Sequence, residues 1–216
     1  MNIFQILCIL LFVTVTVTNI VFIIKKQKLG RQITKGFITG SLLLYLICSK
    51  EKDLILYFGL IASLAGDILL LFKEKKLFFT LGASCFALTH ISYFIVTTKV
   101  LPTSFNWCYY GIVILLGYLV VEFLRKILKK SFGKYAIPAS IYFYILSAVI
   151  LNLLCGTLFN FNIIILILLI GSLCFIGSDI ILSINFLVKK IKNGDILVLL
   201  LYALAQFLII VSVVFL

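Results

Sequence analysis

Eight apolar runs follow one another along this chain, at roughly residues 3–24, 33–49, 54–72, 77–98, 107–124, 135–155, 162–186 and 196–216, with short polar breaks between them. Each is close to the ~20 residues a helix needs to cross the hydrocarbon core of a bilayer, and too long for a barrel strand. Inside lipid every backbone amide must be satisfied within the segment, so runs of this kind can only be helices. Composition agrees: 64% of the 216 residues are hydrophobic and 12% charged, against about 25% charged in soluble domains. The expected fold is an all-α integral membrane protein, one domain over residues 1–216 built as an eight-transmembrane-helix bundle. Its short loops make consecutive spans antiparallel neighbours. With two prolines and no low-complexity tract, nothing marks a linker or a second domain. The opening M-N-I-F-Q-I lacks a basic leader and a small-residue cleavage site, so it reads as a retained first span.

The basic residues set the orientation. Lys25, Lys26, Lys28, Arg31 and Lys35 fall in the first break and Lys73, Lys75 and Lys76 in the third. Arg125, Lys126, Lys129, Lys130 and Lys134 fall in the fifth, and Lys189, Lys190 and Lys192 in the seventh. The even breaks hold only Lys50, Lys52 and Lys99. Positive residues stay inside, which puts the odd breaks in the cytoplasm and both termini outside, in a bacterial-type plasma membrane. The net charge of +12 is then a topology signal and an attraction to anionic headgroups, not a nucleic-acid surface.

Two carboxylates lie inside the apolar runs, Asp67 in L-I-A-S-L-A-G-D-I-L-L and Asp179 in G-S-L-C-F-I-G-S-D-I-I-L-S-I-N-F. A charge at such depth costs about 3 kcal/mol even on insertion scales, and its default reading is functional. Helical spacing gathers Gly59, Ser63, Gly66 and Asp67 on one face and Gly171, Phe175, Ser178, Asp179, Leu182 and Phe186 on another. Small residues beside each acid let a partner helix come close. The fourth run presents Gly82, Phe86, Thr89, His90 and Tyr93 together, His90 being the single histidine. The eighth adds Tyr202 and Gln206, the sixth Pro138, Tyr142 and Tyr144, and the second begins at Lys35. Counted at about 1.5 Å per residue, Asp67, Asp179, Tyr202 and Gln206 fall in the cytoplasmic half, with His90 as the roof. The offset of 112 that separates Asp67 from Asp179 also pairs Gly59 with Gly171, Ile68 with Ile180 and Leu70 with Leu182, a faint echo of a parallel four-span repeat.

Other polar residues read as structural. Glu51, Asp53, Glu74 and Asp195 are loop acids among lysines, and Glu122 is an interfacial partner for Arg125 and Lys126. Trp107, Tyr109 and Tyr110 form an aromatic belt. The six cysteines are spread singly, with no C-x-x-C, as small apolar fillers. With one histidine, a zinc site has no support.

No G-x-S-x-G elbow, Walker loop or H-E-x-x-H occurs. What remains is two acids and a histidine in a low-dielectric site. One acid can keep its proton as a donor while the other stays ionised, the division of labour that glycosidases use. This suits acid–base chemistry passing through a cation. It suits a small proton-linked membrane transporter equally well.

Four blocks in order resemble the YhhN-like lysoplasmalogenase family of eight-span membrane proteins: S-x2-G-D at 63–67, G-x3-F-x3-H-x2-Y at 82–93, F-x2-S-D-x2-L at 175–182 and Y-x3-Q at 202–206. Pro138 and Tyr142 add a fitting P-x3-Y, so the resemblance runs over nearly the whole chain. It departs at Lys35-Gly36, where the family often has Lys-Pro. The resemblance implies hydrolysis of the vinyl ether of a lysoplasmalogen, a lysophospholipid of the bilayer, to a fatty aldehyde and a glycerophospho-base, without cofactor or metal. On that reading Asp67, His90 and Asp179 are catalytic, one aspartate giving the proton and the other stabilising the cation. His90 then orients or deprotonates the water. Ser63, Tyr93, Tyr142, Ser178, Tyr202 and Gln206 surround headgroup or water, and Lys35 or a neighbouring basic residue meets the phosphate.

Overall fold

The structure is a computed structural model that describes residues 2–72, 75–100, 111, 114–119, 122, 126, 136–159 and 161–215. Among these residues it is helical throughout, with no strand. The helices are α1 (Ile3–Ile24), α2 (Lys28–Cys48), α3 (Leu54–Leu70), α4 (Lys76–Val100), α5 (residues 114–119), α6 (Ala136–Phe159), α7 (Ile163–Leu187) and α8 (Gly194–Val214). Five of them (α1, α4, α6, α7 and α8) are long and apolar enough to cross a membrane, as a multi-pass membrane protein requires. The helix α3 is apolar but only 17 residues long. Ahead of the run expected from residue 33, α2 begins with a polar turn, K-L-G-R-Q, whose charges sit at the rim of the bundle. Much of the expected run 107–124 lies outside the described residues, including Trp107, Cys108, Tyr109 and Tyr110. So does Arg125, the expected partner of Glu122.

Helix starts are specified locally. Asn2 and Gln5 close a capping box on α1, and the side chains of Asp53 and Asn162 accept from backbone amides at the heads of α3 and α7. These caps satisfy donors that no preceding turn can reach. On α1 the buried residues Gln5, Phe12, Thr16 and Asn19 form one stripe, and Phe4, Leu7, Leu11 and Val21 on other faces are exposed as a lipid-facing surface demands. Thr16 donates to the Phe12 carbonyl at 2.7 Å, so its hydroxyl is satisfied within the helix. Asn19 ties α1 to α2, donating to the Arg31 carbonyl at 2.9 Å and to Thr34 Oγ1 at 2.7 Å.

The packing has a twofold pattern. In the first half α3 lies against α2 and α4, and in the second α7 lies against α6 and α8. The halves join where α2 meets α8 and α4 meets α6. Both acid-bearing helices approach their successor through a glycine eight positions before the acid. A Cβ on Gly59 would stand 2.8 Å from Ser92 Cβ, and one on Gly171 would stand 3.0 Å from Ile209 Cγ1. Only glycine permits that spacing without a shift.

Charged pairs fasten the two ends of the bundle. Arg31, at the head of α2, pairs with Asp195 in the first turn of α8 at 3.0 Å. At the other end Lys99 reaches Asp53 at 2.8 Å, and the Asn2 side chain donates to the Cys48 carbonyl at 3.1 Å. Asp53 and Asp195 are therefore not idle loop acids: one caps α3 while pairing with Lys99, and the other clasps α2 to α8. The sequence hid this because both partners are distant along the chain. Among the described residues no disulfide joins Cys8, Cys48, Cys85, Cys155 or Cys174.

Candidate active site

Asp67 lies on α3 with 1% of its surface exposed. Its Oδ2 accepts from Thr39 Oγ1 at 2.5 Å and from the Tyr202 hydroxyl at 2.6 Å. No well-aligned hydrogen bond reaches Oδ1; instead the Lys35 ammonium faces it at 3.3 Å. Lys35 and Thr39 are one turn apart on α2, so a single helix face supplies both the countercharge and a donor.

Behind Asp67 the hydrogens all point one way. Tyr93 donates to Gln206 Oε1 at 2.7 Å, and Gln206 Nε2 donates to Ser63 Oγ at 2.6 Å. Ser63 Oγ is 2.9 Å from the Tyr202 hydroxyl, which gives its own proton to Asp67. Since Ser63 receives from Gln206 and Tyr202 is committed to the carboxylate, the Ser63 proton goes to Tyr202. The chain Tyr93, Gln206, Ser63, Tyr202 thus ends on an oxygen that accepts twice. The Lys35 ammonium stands beside the same carboxyl group.

Asp179, on α7, has different company. Its Oδ2 accepts from the Tyr142 hydroxyl at 2.5 Å, and His90 Nε2 stands 3.7 Å away. That separation is too long for a hydrogen bond, and His90 Nε2 is a buried nitrogen with no hydrogen-bond partner among the described residues. The imidazole is held by edge contacts with Phe175, Tyr142 and Tyr93, at centroid distances of 4.4, 5.9 and 6.3 Å. Its orientation is fixed while the nitrogen facing the acid stays free. Among the described residues His90 is the one basic group within ion-pair reach of Asp179.

The acids do not form a shared carboxylate pair. Each has its own tyrosine, and the aromatic cluster of Phe86, Phe175 and Tyr202, with centroids 5.5 to 6.0 Å apart, links the two networks. Both acids do line one polar cavity of about 190 Å³, whose wall also carries Lys28, Arg31, Lys35, Asp195 and Tyr202. A second cavity of about 290 Å³ runs between α4, α6 and α7, walled by such residues as Phe79, Ala83, Ala87, Pro138 and Ile145. Asp179 is the one charged residue on its described wall. Leu70, Phe86, Asp179 and Leu182 line both cavities, so the two spaces adjoin across a shared wall in which Asp179 is the charged residue. Among the described residues no three His, Cys, Asp or Glu side chains gather as a metal ion would need.

A family model, the YhhN family, matches residues 30–213. This chain belongs to the YhhN family. That is the lysoplasmalogenase family, and membership points to lysoplasmalogenase-type hydrolysis. No curated protein and no solved structure matches the chain.

In this YhhN chain the residues singled out from sequence fall into two groups. Lys35, Ser63, Tyr93, Tyr202 and Gln206 surround Asp67, and Tyr142 and His90 surround Asp179. Ser178 lines the polar cavity but gives its proton to the Val198 carbonyl at 3.0 Å, docking α7 on α8 beside the acid. Lys35 spends its charge on Asp67. Thr39 was missed, because a threonine in an apolar run reads as filler. Its one signal is its place a turn after Lys35. Asn19 and Asp195, both on the polar cavity, were missed for want of any visible partner.

Proposed function

We propose that this protein is a lysoplasmalogenase-type hydrolase that cleaves the vinyl ether of a single-chain lysophospholipid within the membrane. It crosses the bilayer eight times with both termini extracytoplasmic, in a bacterial-type plasma membrane. The observation that carries the reading is that an apolar cavity and a polar, charge-lined cavity share Asp179 in their walls. A lysoplasmalogen has that same order: hydrocarbon chain, vinyl ether, glycerol phosphate. With its chain among Phe79, Ala83 and Ile145 and its headgroup toward Arg31 and Lys28, its reactive carbons come beside the acid.

The roles follow from the electrostatics. The Lys35 ammonium beside Asp67 favours its ionised form, which supports assigning Asp179 as the proton donor. Asp179 gives its proton to the β-carbon of the vinyl ether, and the electron pair of the C=C bond forms the new C–H bond. The α-carbon becomes an oxocarbenium ion, stabilised by the carboxylates of Asp67 and of the now ionised Asp179. Water adds to that carbon, and His90 Nε2 takes its proton. The hemiacetal then loses its hydroxyl proton as the ether oxygen is protonated and its bond to the former α-carbon breaks. A fatty aldehyde and a glycerophospho-base leave, and Asp179 recovers its proton through His90. Tyr142 holds the Asp179 carboxylate and stabilises it once ionised.

The test is aldehyde release by the purified protein in detergent from lysoplasmenyl-ethanolamine, beside a 1-acyl lysophospholipid. Aldehyde from the vinyl ether and no cleavage of the ester is the expected result. The same buried acids would serve a proton-linked carrier, which would show flux in proteoliposomes and no aldehyde.

A further inference from the structure

Resting on the reading just proposed, we infer that the Arg31–Asp195 pair reads the lipid headgroup, Arg31 taking the phosphate and Asp195 an ammonium two carbons beyond it. The pair lies on the wall of the polar cavity and is not among the four residues that line both cavities. Lys28 and Arg31 are three residues apart and Lys35 four further on, so all three share one face of α2. Lys35 is occupied with Asp67. Lys28 and Arg31 are the other cations on the cavity wall, and Asp195 pairs with Arg31 from α8.

Uniform basicity would suffice for any phosphate. A carboxylate placed against the phosphate-binding cation does something else: it penalises a headgroup that brings negative charge alone and favours one that brings a cation with it. The side chains of Arg31 and Asp195 remain 34% and 43% exposed, so water screens their mutual attraction and the clasp opens at little cost. A zwitterionic headgroup answers both charges at once, ammonium on Asp195 and phosphate on Arg31, with two charge-assisted hydrogen bonds replacing one.

Binding and turnover are measured separately with the full-length protein in detergent. The binding ligands are 1-alkyl lysophosphoethanolamine and 1-alkyl lysophosphoglycerol, whose saturated ethers cannot be turned over, so a failure of the catalytic reading leaves this measurement intact. The wild type is expected to bind the ethanolamine lipid about tenfold more tightly, the scale of one charge-assisted hydrogen bond. Asp195→Asn should abolish or reverse that ratio by strengthening the glycerol lipid, and Asp195→Glu should keep it. Arg31→Gln should weaken both. If turnover occurs, kcat/KM on the two vinyl ether substrates should follow the same ratios. Equal binding by the wild type, or an equal change of both lipids in Asp195→Asn, overturns the inference and leaves the pair a clasp between helices.

Discussion

Tyr202 gives Asp67 the hydrogen bond that Tyr142 gives Asp179, at 2.6 and 2.5 Å, the first reaching across from α8 in the other half of the bundle and the second from α6, which packs on the acid's own helix. The helices that carry the acids are matched even so: α3 and α7 occupy corresponding places in the two halves. One lysine breaks the symmetry. Lys35 faces Asp67, and among the described residues His90 is the one basic group within ion-pair reach of Asp179. A near-symmetric scaffold with an asymmetric countercharge can hold one carboxylate ionised and leave the other to carry a proton.

Removing Lys35 alone should therefore cost more than removing both partners. Lys35→Met leaves a buried carboxylate uncompensated and should destabilise the protein by about 3 kcal/mol. The double variant Lys35→Met, Asp67→Asn should recover most of that loss. Chemical unfolding in detergent of the two variants beside the wild type measures it, and equal losses would mean that Lys35 does not balance Asp67.

Tyr142→Phe should separate activity from stability. It deletes the donor that stabilises the Asp179 carboxylate once its proton has gone, so kcat should fall by at least about tenfold, the scale of a hydrogen bond to a charged group. KM and melting temperature should move little, because the ring keeps its contacts with His90 and Phe143.

The apolar cavity should set chain-length preference. Ala83→Trp puts an indole into a space of about 290 Å³. It should raise KM for long alkenyl chains far more than for short ones, at unchanged headgroup preference. Kinetics across a series of chain lengths reads this directly.

How much of this was legible beforehand varies with the distance over which the determinant acts. The apolar runs reproduce most helix bounds because hydropathy is local: α1 was expected at 3–24 and spans Ile3–Ile24. The head of α2 was missed since a polar turn carries no hydropathy signal, though it supplies Arg31 to the clasp. Asp67, Asp179 and His90 stood out because burying such groups in lipid is costly. Their grouping did not. Depth along each helix was available, but which helices adjoin was not, so the acids read as one cluster where the bundle keeps two networks. Thr39 and Asp195 take their meaning from partners 28 and 164 residues away, and no spacing rule reaches that far.

Outside the apolar segments, Asp53 links stability to pH. Burial would lift its carboxyl, but the Lys99 ammonium and the Ile55 amide outweigh this and hold its pKa below the ordinary carboxylate value. A depressed folded-state pKa stabilises above the unfolded value of about 3.9 and is lost as pH falls through the folded one. Asparagine caps a helix as well as aspartate does, so Asp53→Asn isolates the charge. The variant should melt lower than the wild type at neutral pH, and the gap should close as the pH is taken below about 4. A gap independent of pH would contradict the charge account.

The most direct test of the central claim is aldehyde release by Asp179→Asn on lysoplasmenyl-ethanolamine, with folding checked by its melting temperature. Loss of the proton donor should cut kcat by about 10²- to 10⁴-fold while substrate still binds. A folded Asp179→Asn protein that turns over within a few-fold of the wild type would contradict the assignment of Asp179 as the acid.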